Sequence, residues 1–592
     1  MALPNTNTTG LAVKRVRLCY ALLLCVVAVF GIRLFYIQVI RYDHYKHAAL
    51  SDQLKQYEIP ATRGVIEVHD GDGAVPIVLN QKLYTLYADP VYIKDANKAA
   101  EAVAGVVGGH ASDYLGGLTT KSTRYVVLAK KLSQDQNGKI LALKYPGLGT
   151  QEQDYRTYPQ GELAAQLLGF VNDGGVGTYG LEQALNKELT GTAGQLKAIT
   201  DVNGIPLAAS PNNVEVTAKP GANLLLTLDL GMQAQMEKIL QQEYQKTKSK
   251  GLSAVIIDPN SGQVKAMANY PTYDPSQYSS VNDPGIFQNA VATNAIEPGS
   301  TMKLLTTAAA LDQKVISPDT TFYDPAHWVV DGFNITDIEE DGGARTQSIG
   351  SLLNLSLNTG ATWELMQMGG GQINTKARNT WYDYMNNHFL LGHQTGVEQG
   401  YEATGYIPSP RDNGAGIDLT YANSSFGQGV TVTALQMAAA VSAILNGGTY
   451  YQPYLVDQAT DSAGRSTVTK PKVLKTGVVS PQVSQGMESL MEYVVQQHYQ
   501  SGFSYLNFSP DYMVGGKTGT AQIANPAGGY YGDKYNGTYI GFVGGNKVQY
   551  VVVVFNIQPG VAGYAGSYGG QPVFGDLAHM LIDGGYVMPK SQ

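Results

Sequence analysis

An apolar stretch near the N-terminus constrains this chain more than any other feature. Leu18–Ile32 carries no charged side chain, Arg33 interrupts the run, and mostly apolar residues continue over Leu34–Ile40. A helix needs about 20 mostly apolar residues to cross a bilayer. Leu18–Ile40 is long enough if the Arg33 side chain extends to the membrane interface. The sequence therefore predicts a membrane-spanning helix at 18–40.

The charges before this stretch predict its orientation. Residues 1–13 carry no charged side chain, whereas Lys14, Arg15 and Arg17 lie immediately before the span. Basic residues before a first span favour a cytoplasmic N-terminus. Residues 1–17 are thus expected to form a cytoplasmic tail, with the bulk of the protein outside the membrane. A cleaved signal peptide is the alternative, but no small-x-small cleavage site follows the run.

Length and composition exclude several classes of protein. The chain has 592 residues, which is too long for one ordinary core and predicts two or more domains. Its net charge is −8 with both signs mixed, so it offers no basic surface for nucleic acid. Cys19 and Cys25, the only cysteines, lie in the apolar stretch, and the histidines show no metal-ligand spacing. We therefore expect neither disulfides nor a metal site after the span.

A change of composition divides the remaining chain. Pro206–Gly221 is rich in Pro, Asn and Gly and marks a boundary, which predicts one domain at 41–215 and another at 216–592. The first domain has no nucleophile–base constellation, which favours a structural module. Helical periodicity predicts three helices within it, at Ala99–Val107, Glu162–Leu168 and Leu181–Leu189.

The domain at 216–592 has predicted strands at both ends and helices between them. Asn260-Ser261-Gly262 separates two apolar runs, which is typical of a hairpin turn. The order of elements indicates an α+β fold with one antiparallel sheet and helical layers. The other predicted elements are strands at Leu224–Leu228, Tyr512–Thr520, Tyr539–Val543 and Gln549–Ile557, and helices at Gly231–Lys246 and Leu435–Leu445.

The central chemical signal lies in Glu297-Pro298-Gly299-Ser300-Thr301-Met302-Lys303. The apolar run that follows, Leu304–Leu311, predicts a helix with Ser300 near its N-terminus. Positions i and i+3 share a helix face, so the Ser300 hydroxyl and the Lys303 amine can meet. A serine becomes a good nucleophile when a neighbouring base takes its proton. This spacing alone also fits a surface serine and lysine on an amphipathic helix.

Two more short motifs follow in the chain. Ser356-Leu357-Asn358 lies in Leu352–Gly360, which we interpret as a helix end and loop, and Lys517-Thr518-Gly519-Thr520 lies on a predicted strand. Either motif alone is a weak signal, because Ser-x-Asn is nearly uninformative and Lys-Thr-Gly often occurs by chance. The informative feature is that both follow Ser-x-x-Lys in this order, because a set of motifs of this kind occurs in penicillin-binding proteins and serine β-lactamases.

With these motifs, the chain resembles the class B penicillin-binding proteins, which are peptidoglycan D,D-transpeptidases, over nearly everything from Lys14 onward. The resemblance implies a penicillin-binding serine transpeptidase fold at 216–592, preceded by an elongated pedestal similar to the penicillin-binding protein dimerisation domain at 41–215. Further motifs carry it: Arg33–Val39 in the anchor; Ile59–Gly64, Arg156, Tyr158-Pro159, Gly169–Val171 and Gly180–Glu182 in the pedestal; and Leu226–Asp229, Phe426–Gly429, Gly541-Phe542 and Gly569–Phe574 in the catalytic domain.

The resemblance implies a role for each motif residue. Ser300 attacks the carbonyl of the penultimate D-Ala of a stem peptide, and Lys303 acts as its base. Ser356 relays a proton toward the leaving nitrogen, and Asn358 binds the substrate amide. We hypothesise that burial and the like charge of Lys517 lower the pKa of Lys303, because both disfavour a charged amine.

The Lys-Thr-Gly motif completes the implied site. Lys517 and Thr518 hold the substrate carboxylate, and Gly519 and Thr520 continue the substrate-binding strand. The backbone N–H groups of Ser300 and Thr520 form the oxyanion hole, where each donor contributes on the order of 3 kcal/mol. The resemblance implies no metal and no cofactor, and it implies that β-lactams acylate Ser300.

The implied partners are stem peptides on lipid-linked glycan strands, a membrane glycosyltransferase of the shape, elongation, division and sporulation family, and other division proteins. The pedestal motifs favour a division role over an elongation role.

Two other functions are alternatives. The first is a β-lactamase or β-lactam sensor, but the long pedestal and the single span argue against it. The second is a catalytically silent scaffold that activates a glycosyltransferase, but the intact motif set argues against it. A bifunctional class A enzyme lacks support because no glycosyltransferase motif is evident. Asp331–Arg345, Thr362–Thr380 and Gly560–Gly570 depart from the family pattern and leave loop shape open.

Overall fold

The computed structural model describes residues 9–46, 54–199, 214–337, 343–412 and 414–591. The chain forms two compact units. One consists of Met1–Thr62 with Gly191–Pro220, and the other of Arg63–Thr190 with Gly221–Gln592.

The regular elements are numbered along the chain. The strands are β1 (Leu54–Ile59), β2 (Ile66–Asp70), β3 (Gly73–Ala88), β4 (Val126–Leu132), β5 (Leu148–Thr157), β6 (Phe170–Val171), β7 (Gly177–Thr178), β8 (Gly194–Ile199), β9 (Val214–Val216), β10 (Asn223–Asp229), β11 (Gly251–Ile257), β12 (Val264–Tyr270), β13 (Thr321–Asp324), β14 (His327–Val330), β15 (Phe333–Thr336), β16 (Arg345–Ser348), β17 (Thr449–Tyr451), β18 (Val456–Thr460), β19 (Ser466–Val468), β20 (Val473–Thr476), β21 (Met513–Ala524), β22 (Tyr530–Gly544) and β23 (Val548–Ile557). The α-helices are α1 (Thr9–Phe35), α2 (Ala96–Val107), α3 (Ala111–Thr119), α4 (Gln134–Ala142), α5 (Ala165–Leu168), α6 (Gly180–Ala184), α7 (Asn186–Thr190), α8 (Leu230–Thr247), α9 (Ala290–Thr293), α10 (Met302–Asp312), α11 (Ile349–Leu355), α12 (Asn358–Met368), α13 (Thr375–Asp383), α14 (Ile417–Ser425), α15 (Ala434–Leu445), α16 (Pro481–Gln500) and α17 (Gln571–Asp583).

The first unit holds the N-terminal helix and a small sheet. Helix α1 continues as a π-helical turn, Tyr36–Ile40. Among the described residues, Lys14–Ile40 is the one helical stretch that is long and apolar enough to cross a membrane, which agrees with the helix predicted at 18–40. Strands β1, β8 and β9 form an antiparallel sheet in the same unit.

In the second unit, a mixed sheet combines pedestal strands with strands of the catalytic region. Strand β2 pairs with β3 on one side and parallel to β10 on the other, so that Ile66 lies opposite Leu224. Strand β10 in turn pairs with β18. The sheet therefore contains strands from both sides of the predicted boundary at residue 215, and the division into domains at that point stays a prediction.

A five-stranded antiparallel sheet, in the order β12-β11-β23-β22-β21, forms the centre of the catalytic region. Side chains alternate between the two faces of a strand, and both faces of β23 are buried. Val551 and Val553 pack in the cluster that includes helices α10 and α15, whereas Val552 and Val554 pack in the cluster of α8 and α17. This burial explains the uninterrupted valine run and confirms the predicted antiparallel sheet with helical layers.

Two predicted pedestal helices are wrong in extent. Glu162–Leu168 is helical only over α5, because Gly161 and Ala164 adopt positive φ angles of 64° and 53° that a continuous right-handed helix does not contain. Leu181–Leu189 is divided into α6 and α7 at Leu185, whose φ of −110° interrupts the helix. The other predicted helices and strands overlap observed ones.

Candidate active site

The nucleophile motif forms a tight turn at the start of a buried helix. Gly299–Thr301 is one turn of 3-10 helix, and α10 follows directly. Gly299 has a φ of 58°, and a Cβ atom there would lie 2.7 Å from the Thr520 carbonyl oxygen. The Gly299 N–H donates to the Gly427 carbonyl at 3.1 Å. Glycine thus allows the turn to fit between β21 and the Gly427 loop, which fixes the position of Ser300.

Lys303 lies at the centre of the site. It is fully buried on α10, and its Nζ donates to Ser300 Oγ at 2.9 Å and to Asn358 Oδ1 at 2.9 Å. The same Nζ contacts the Ser356 carbonyl and lies 3.3 Å from Ser356 Oγ. The Phe426 ring centre is 5.9 Å away. The amine can therefore reach the serine proton while other groups hold it in place.

The Ser-x-Asn motif is a sharp corner between two helices. Ser356 has a φ of 61°, in the left-handed region, and so ends α11. Asn358 begins α12 instead of lying in a loop, so our interpretation of Leu352–Gly360 is wrong over its last three residues. Asp337 explains the new helix start, because its Oδ1 accepts hydrogen bonds from the backbone N–H groups of Asn358 and Thr359.

Lys517 approaches the same corner from β21. It is fully buried, and its Nζ donates to Ser356 Oγ at 2.9 Å and lies 3.4 Å from Thr518 Oγ1. Ser356 Oγ consequently contacts the amines of both Lys303 and Lys517. Residues separated by 53 and 161 positions along the chain thus meet at one hydroxyl.

The rest of the Lys-Thr-Gly strand borders a cavity of about 460 Å³ that also contains Ser300. Thr518 and Thr520 line this cavity. Gly519 allows close packing, because a Cβ atom there would lie 2.6 Å from the Pro298 carbonyl oxygen. Every residue of the predicted site is therefore in one place, and the individual chemical roles remain predictions.

The cavity also includes residues that the sequence did not indicate. His498 on α16 accepts a hydrogen bond at Nδ1 from Gln571 Nε2 at 2.6 Å. Burial, followed by the charge of Lys517, lowers the pKa of His498 to about 4, so the imidazole is neutral at neutral pH. A lone histidine in a helix belongs to no motif, so only the fold could place it. The other lining residues missed are Asn354, Leu355, Gln522, Tyr535, Tyr564 and Ser567.

A buried carboxyl group lies near Lys303. Glu364 on α12 is fully buried, and its Oε2 accepts a hydrogen bond from Thr307 Oγ1 at 3.0 Å. Its Oε1 has no hydrogen-bond partner among the described residues. Burial raises the pKa of Glu364 from 4.5 to about 8, although the Thr307 hydrogen bond and the Lys303 charge act in the opposite direction. The folded protein therefore keeps this proton at neutral pH.

Because the folded protein retains this proton, we expect its free energy of unfolding to fall as pH rises. Below pH 4.5 the Glu364 carboxyl is protonated in both states, whereas between pH 4.5 and about 8 the unfolded chain releases a proton that the folded protein retains. Glu364→Gln keeps an acceptor for Thr307 and cannot titrate. We expect it to raise the urea midpoint relative to the wild type more at pH 8 than at pH 5. The same difference at both values would contradict the shift.

In this site, a serine and a lysine at the start of a helix lie beside an edge strand that carries Lys-Thr-Gly. This combination defines the penicillin-binding class of serine enzymes. Residues 252–579 match the family described as "Penicillin binding protein transpeptidase domain". Residues 58–226 match "Penicillin-binding Protein dimerisation domain". The chain belongs to this family and, with both domains, is a class B penicillin-binding protein.

Individual relatives agree with this assignment. The chain is 30% identical to Stage V sporulation protein D of Bacillus subtilis, over 95% of this chain and 85% of the relative. It is 26% identical to peptidoglycan D,D-transpeptidase FtsI of Escherichia coli, over 95% and 90%. Among solved structures, penicillin binding protein 3 from Mycobacterium tuberculosis complexed with aztreonam superposes with a TM-score of 0.68 at 25% identity, over 90% of this chain and 98% of that chain. The predicted family and fold are confirmed.

Proposed function

We propose that this protein is a peptidoglycan D,D-transpeptidase that crosslinks stem peptides during septal cell-wall synthesis. The observation that carries the proposal is the 2.9 Å hydrogen bond from Lys303 Nζ to Ser300 Oγ, because it joins a nucleophile to a buried base. The relative from Escherichia coli is named for the same reaction. The pedestal motifs support a division role over elongation, and the relative from Bacillus subtilis is named for sporulation.

Acylation begins when neutral Lys303 takes the Ser300 Oγ proton. The oxygen attacks the carbonyl of the penultimate D-Ala, and the backbone N–H groups of Ser300 and Thr520 stabilise the resulting oxyanion. The peptide bond to the terminal D-Ala then breaks. Its nitrogen receives the proton through Ser356, which Lys303 Nζ contacts. D-Alanine leaves, and the stem remains as an ester on Ser300.

The crosslink forms when an amine of a neighbouring stem attacks this ester. Lys303 removes a proton from the amine, an amide bond forms, and the proton returns to Ser300 Oγ. Asn358 orients the donor amide, and Lys517 with Thr518 holds the substrate carboxylate through charge-assisted hydrogen bonds. A β-lactam enters the first half of this sequence and acylates Ser300.

The location follows from the same proposal. The apolar helix is consistent with a single-pass membrane protein, in which the N-terminus is cytoplasmic and the catalytic region faces the cell wall. The anchor and pedestal contact a membrane glycosyltransferase of the shape, elongation, division and sporulation family, and other division proteins join this complex.

The direct test supplies the full-length protein in detergent with lipid-linked glycan strands and measures products by mass spectrometry. Crosslinked stems and released D-alanine should appear in equal amounts. Release without crosslinks would identify a carboxypeptidase, and rapid turnover of penicillin would identify a β-lactamase. Depletion from cells should produce filaments; rounded cells would indicate an elongation role.

Lys517→Ala tests how the base is kept neutral. Removing this charge should raise the pKa that governs acylation, and we expect the pH profile of penicillin acylation to shift upward by roughly one unit. Lys517→Arg retains the charge and serves as the control, so its profile should stay near that of the wild type. An unshifted Lys517→Ala profile would mean that Lys517 does not tune Lys303.

A further inference from the structure

A second cavity lies at one end of the central sheet. Its volume is about 650 Å³, which is within the range of small-molecule sites. Its wall includes the ends of strands β11, β12 and β23 and the two 3-10 turns Pro275–Ser280 and Pro284–Phe287. It shares no lining residue with the catalytic cavity. The reaction described above therefore leaves this cavity without a function.

Amides are the most frequent polar side chains in the lining, which also includes Lys250, Asp274 and Asp283. The chemistry of the amides matches uncharged ligands that carry hydroxyl and acetamido groups, because each amide offers both donors and an acceptor. Tyr270 adds an aromatic ring to the wall. The exposed amides, which make no side-chain hydrogen bond within the part of the chain that the structure describes, are Gln277, Asn282, Gln288 and Asn294. We refer to this site as the amide-lined cavity.

The register of the sheet places this cavity at the same end of the strands as Thr520 of β21, whose backbone N–H belongs to the proposed oxyanion hole. Four successive pairings join the two: Tyr270 with Leu252, Leu252 with Asn556, Asn556 with Gly537, and Gly537 with Thr520. Neighbouring strands lie about 4.8 Å apart, so these steps amount to roughly 19 Å. The cavity wall is thus within about 20 Å of the catalytic cavity.

The sequence separation of two lining residues gives a second upper limit on the distance between the two cavities. Asn294 lines the amide-lined cavity and Ser300 the catalytic one. They are six positions apart, and at about 3.5 Å per residue their Cα atoms are separated by at most roughly 21 Å. Ser300 is acylated by the penultimate D-Ala, so four stem residues, which span roughly 14 Å when extended, separate it from the sugars. The lactyl group and the two sugar rings lengthen the donor further, so its sugars can reach the second cavity, whose distance from Ser300 has the two upper limits given above.

We propose that the amide-lined cavity binds the amino-sugar backbone to which the donor stem peptide is attached. This inference rests on the proposed transpeptidase function. Binding energy from a remote part of a substrate can be used to raise kcat/KM at the reacting centre. A donor that carries its sugars gains this energy, whereas a free peptide or a penicillin does not.

The test compares two donors on the full-length protein in detergent, a disaccharide-pentapeptide and the same pentapeptide without sugars. We expect kcat/KM for D-alanine release to be about tenfold higher with the sugars. Asn282→Trp and Gln288→Trp fill the cavity from exposed positions and should remove this preference. Gln482→Trp, at an exposed glutamine on α16 outside the cavity, should retain it. Equal use of both donors by the wild type, or a preference preserved in both cavity variants, would overturn the proposal.

A binding measurement separates this site from the chemistry at Ser300. The probe is the N-acetylglucosaminyl-N-acetylmuramic acid disaccharide without peptide, observed by saturation-transfer NMR. Transfer to its acetamido signals should occur with the wild type and Ser300→Ala and be absent with Gln288→Trp. Such a pattern without any D-alanine release would support the sugar site and reject the transpeptidase. Crosslinking without saturation transfer would reject the sugar site alone. Unchanged penicillin labelling of the tryptophan variants verifies that they are folded.

Discussion

Ser300→Ala is expected to abolish covalent labelling of the full-length protein by a fluorescent penicillin. The wild type should carry one adduct per chain, because Ser300 Oγ is the hydroxyl that receives the 2.9 Å hydrogen bond from the buried Lys303 amine. Removing the nucleophile removes the acyl-enzyme. In-gel fluorescence measures the loss, and intact-protein mass spectrometry measures the number of adducts.

Two variants make this result specific. Ser351→Ala removes a different serine, on the helix that leads to the Ser-x-Asn corner, and should keep one adduct per chain. Lys303→Met removes the base but leaves the hydroxyl, so labelling should become slower by about two to four orders of magnitude without a change in its site. Labelling of Ser300→Ala at the wild-type level would show that the nucleophile lies elsewhere.

Glu182→Gln is expected to destabilise the pedestal region by about 3–5 kcal/mol, because it breaks a buried ionic triad. Glu182 is fully buried, its Oε1 accepts a hydrogen bond from Arg156 Nε at 2.7 Å, and its Oε2 accepts one from Arg63 Nε at 2.7 Å. Both arginine side chains are at most one-tenth exposed. Without the carboxylate, two guanidinium charges remain buried without their counter-ion. Urea denaturation followed by circular dichroism measures the shift.

The exposed pair Lys82–Glu152 is the matched control. Its charged atoms are 2.9 Å apart, but its side chains are 72% and 47% exposed, so Glu152→Gln should leave the urea midpoint almost unchanged. Replacing all three members of the triad by methionine should recover most of the lost stability, because no buried charge remains. Equal effects of Glu182→Gln and Glu152→Gln would contradict the importance of burial.

Local features of the sequence were sufficient to predict part of the structure of this protein. The helical spacing of Ser300 and Lys303 requires the two side chains to share a face, and the apolar length of 18–40 requires a helix that can span a membrane. The apolar run at Val551–Val554 indicates a strand, as predicted over Gln549–Ile557. Each of these predictions depends on residues within one element, so a single sequence contains the needed information.

Predictions from local sequence were wrong where a distant residue controls the backbone conformation. Leu352–Gly360 contains no sequence sign of a second helix start, since Asp337, which caps it, lies more than 20 positions earlier. His498 and Glu364 likewise belong to no motif. Their pKa values are shifted mainly by burial, and burial depends on the packing of helices that are far apart in sequence.

Packing alone brought the motifs together. The order of Ser-x-x-Lys, Ser-x-Asn and Lys-Thr-Gly identified the family, but the fold placed Ser356 Oγ against the amines of both Lys303 and Lys517. The fold also assembled the Arg63–Glu182–Arg156 triad and the amide-lined cavity. Hydrogen bonds and ion pairs between residues far apart in the chain leave no periodic pattern in a sequence, because each partner becomes constrained only when its strand or helix packs against the other.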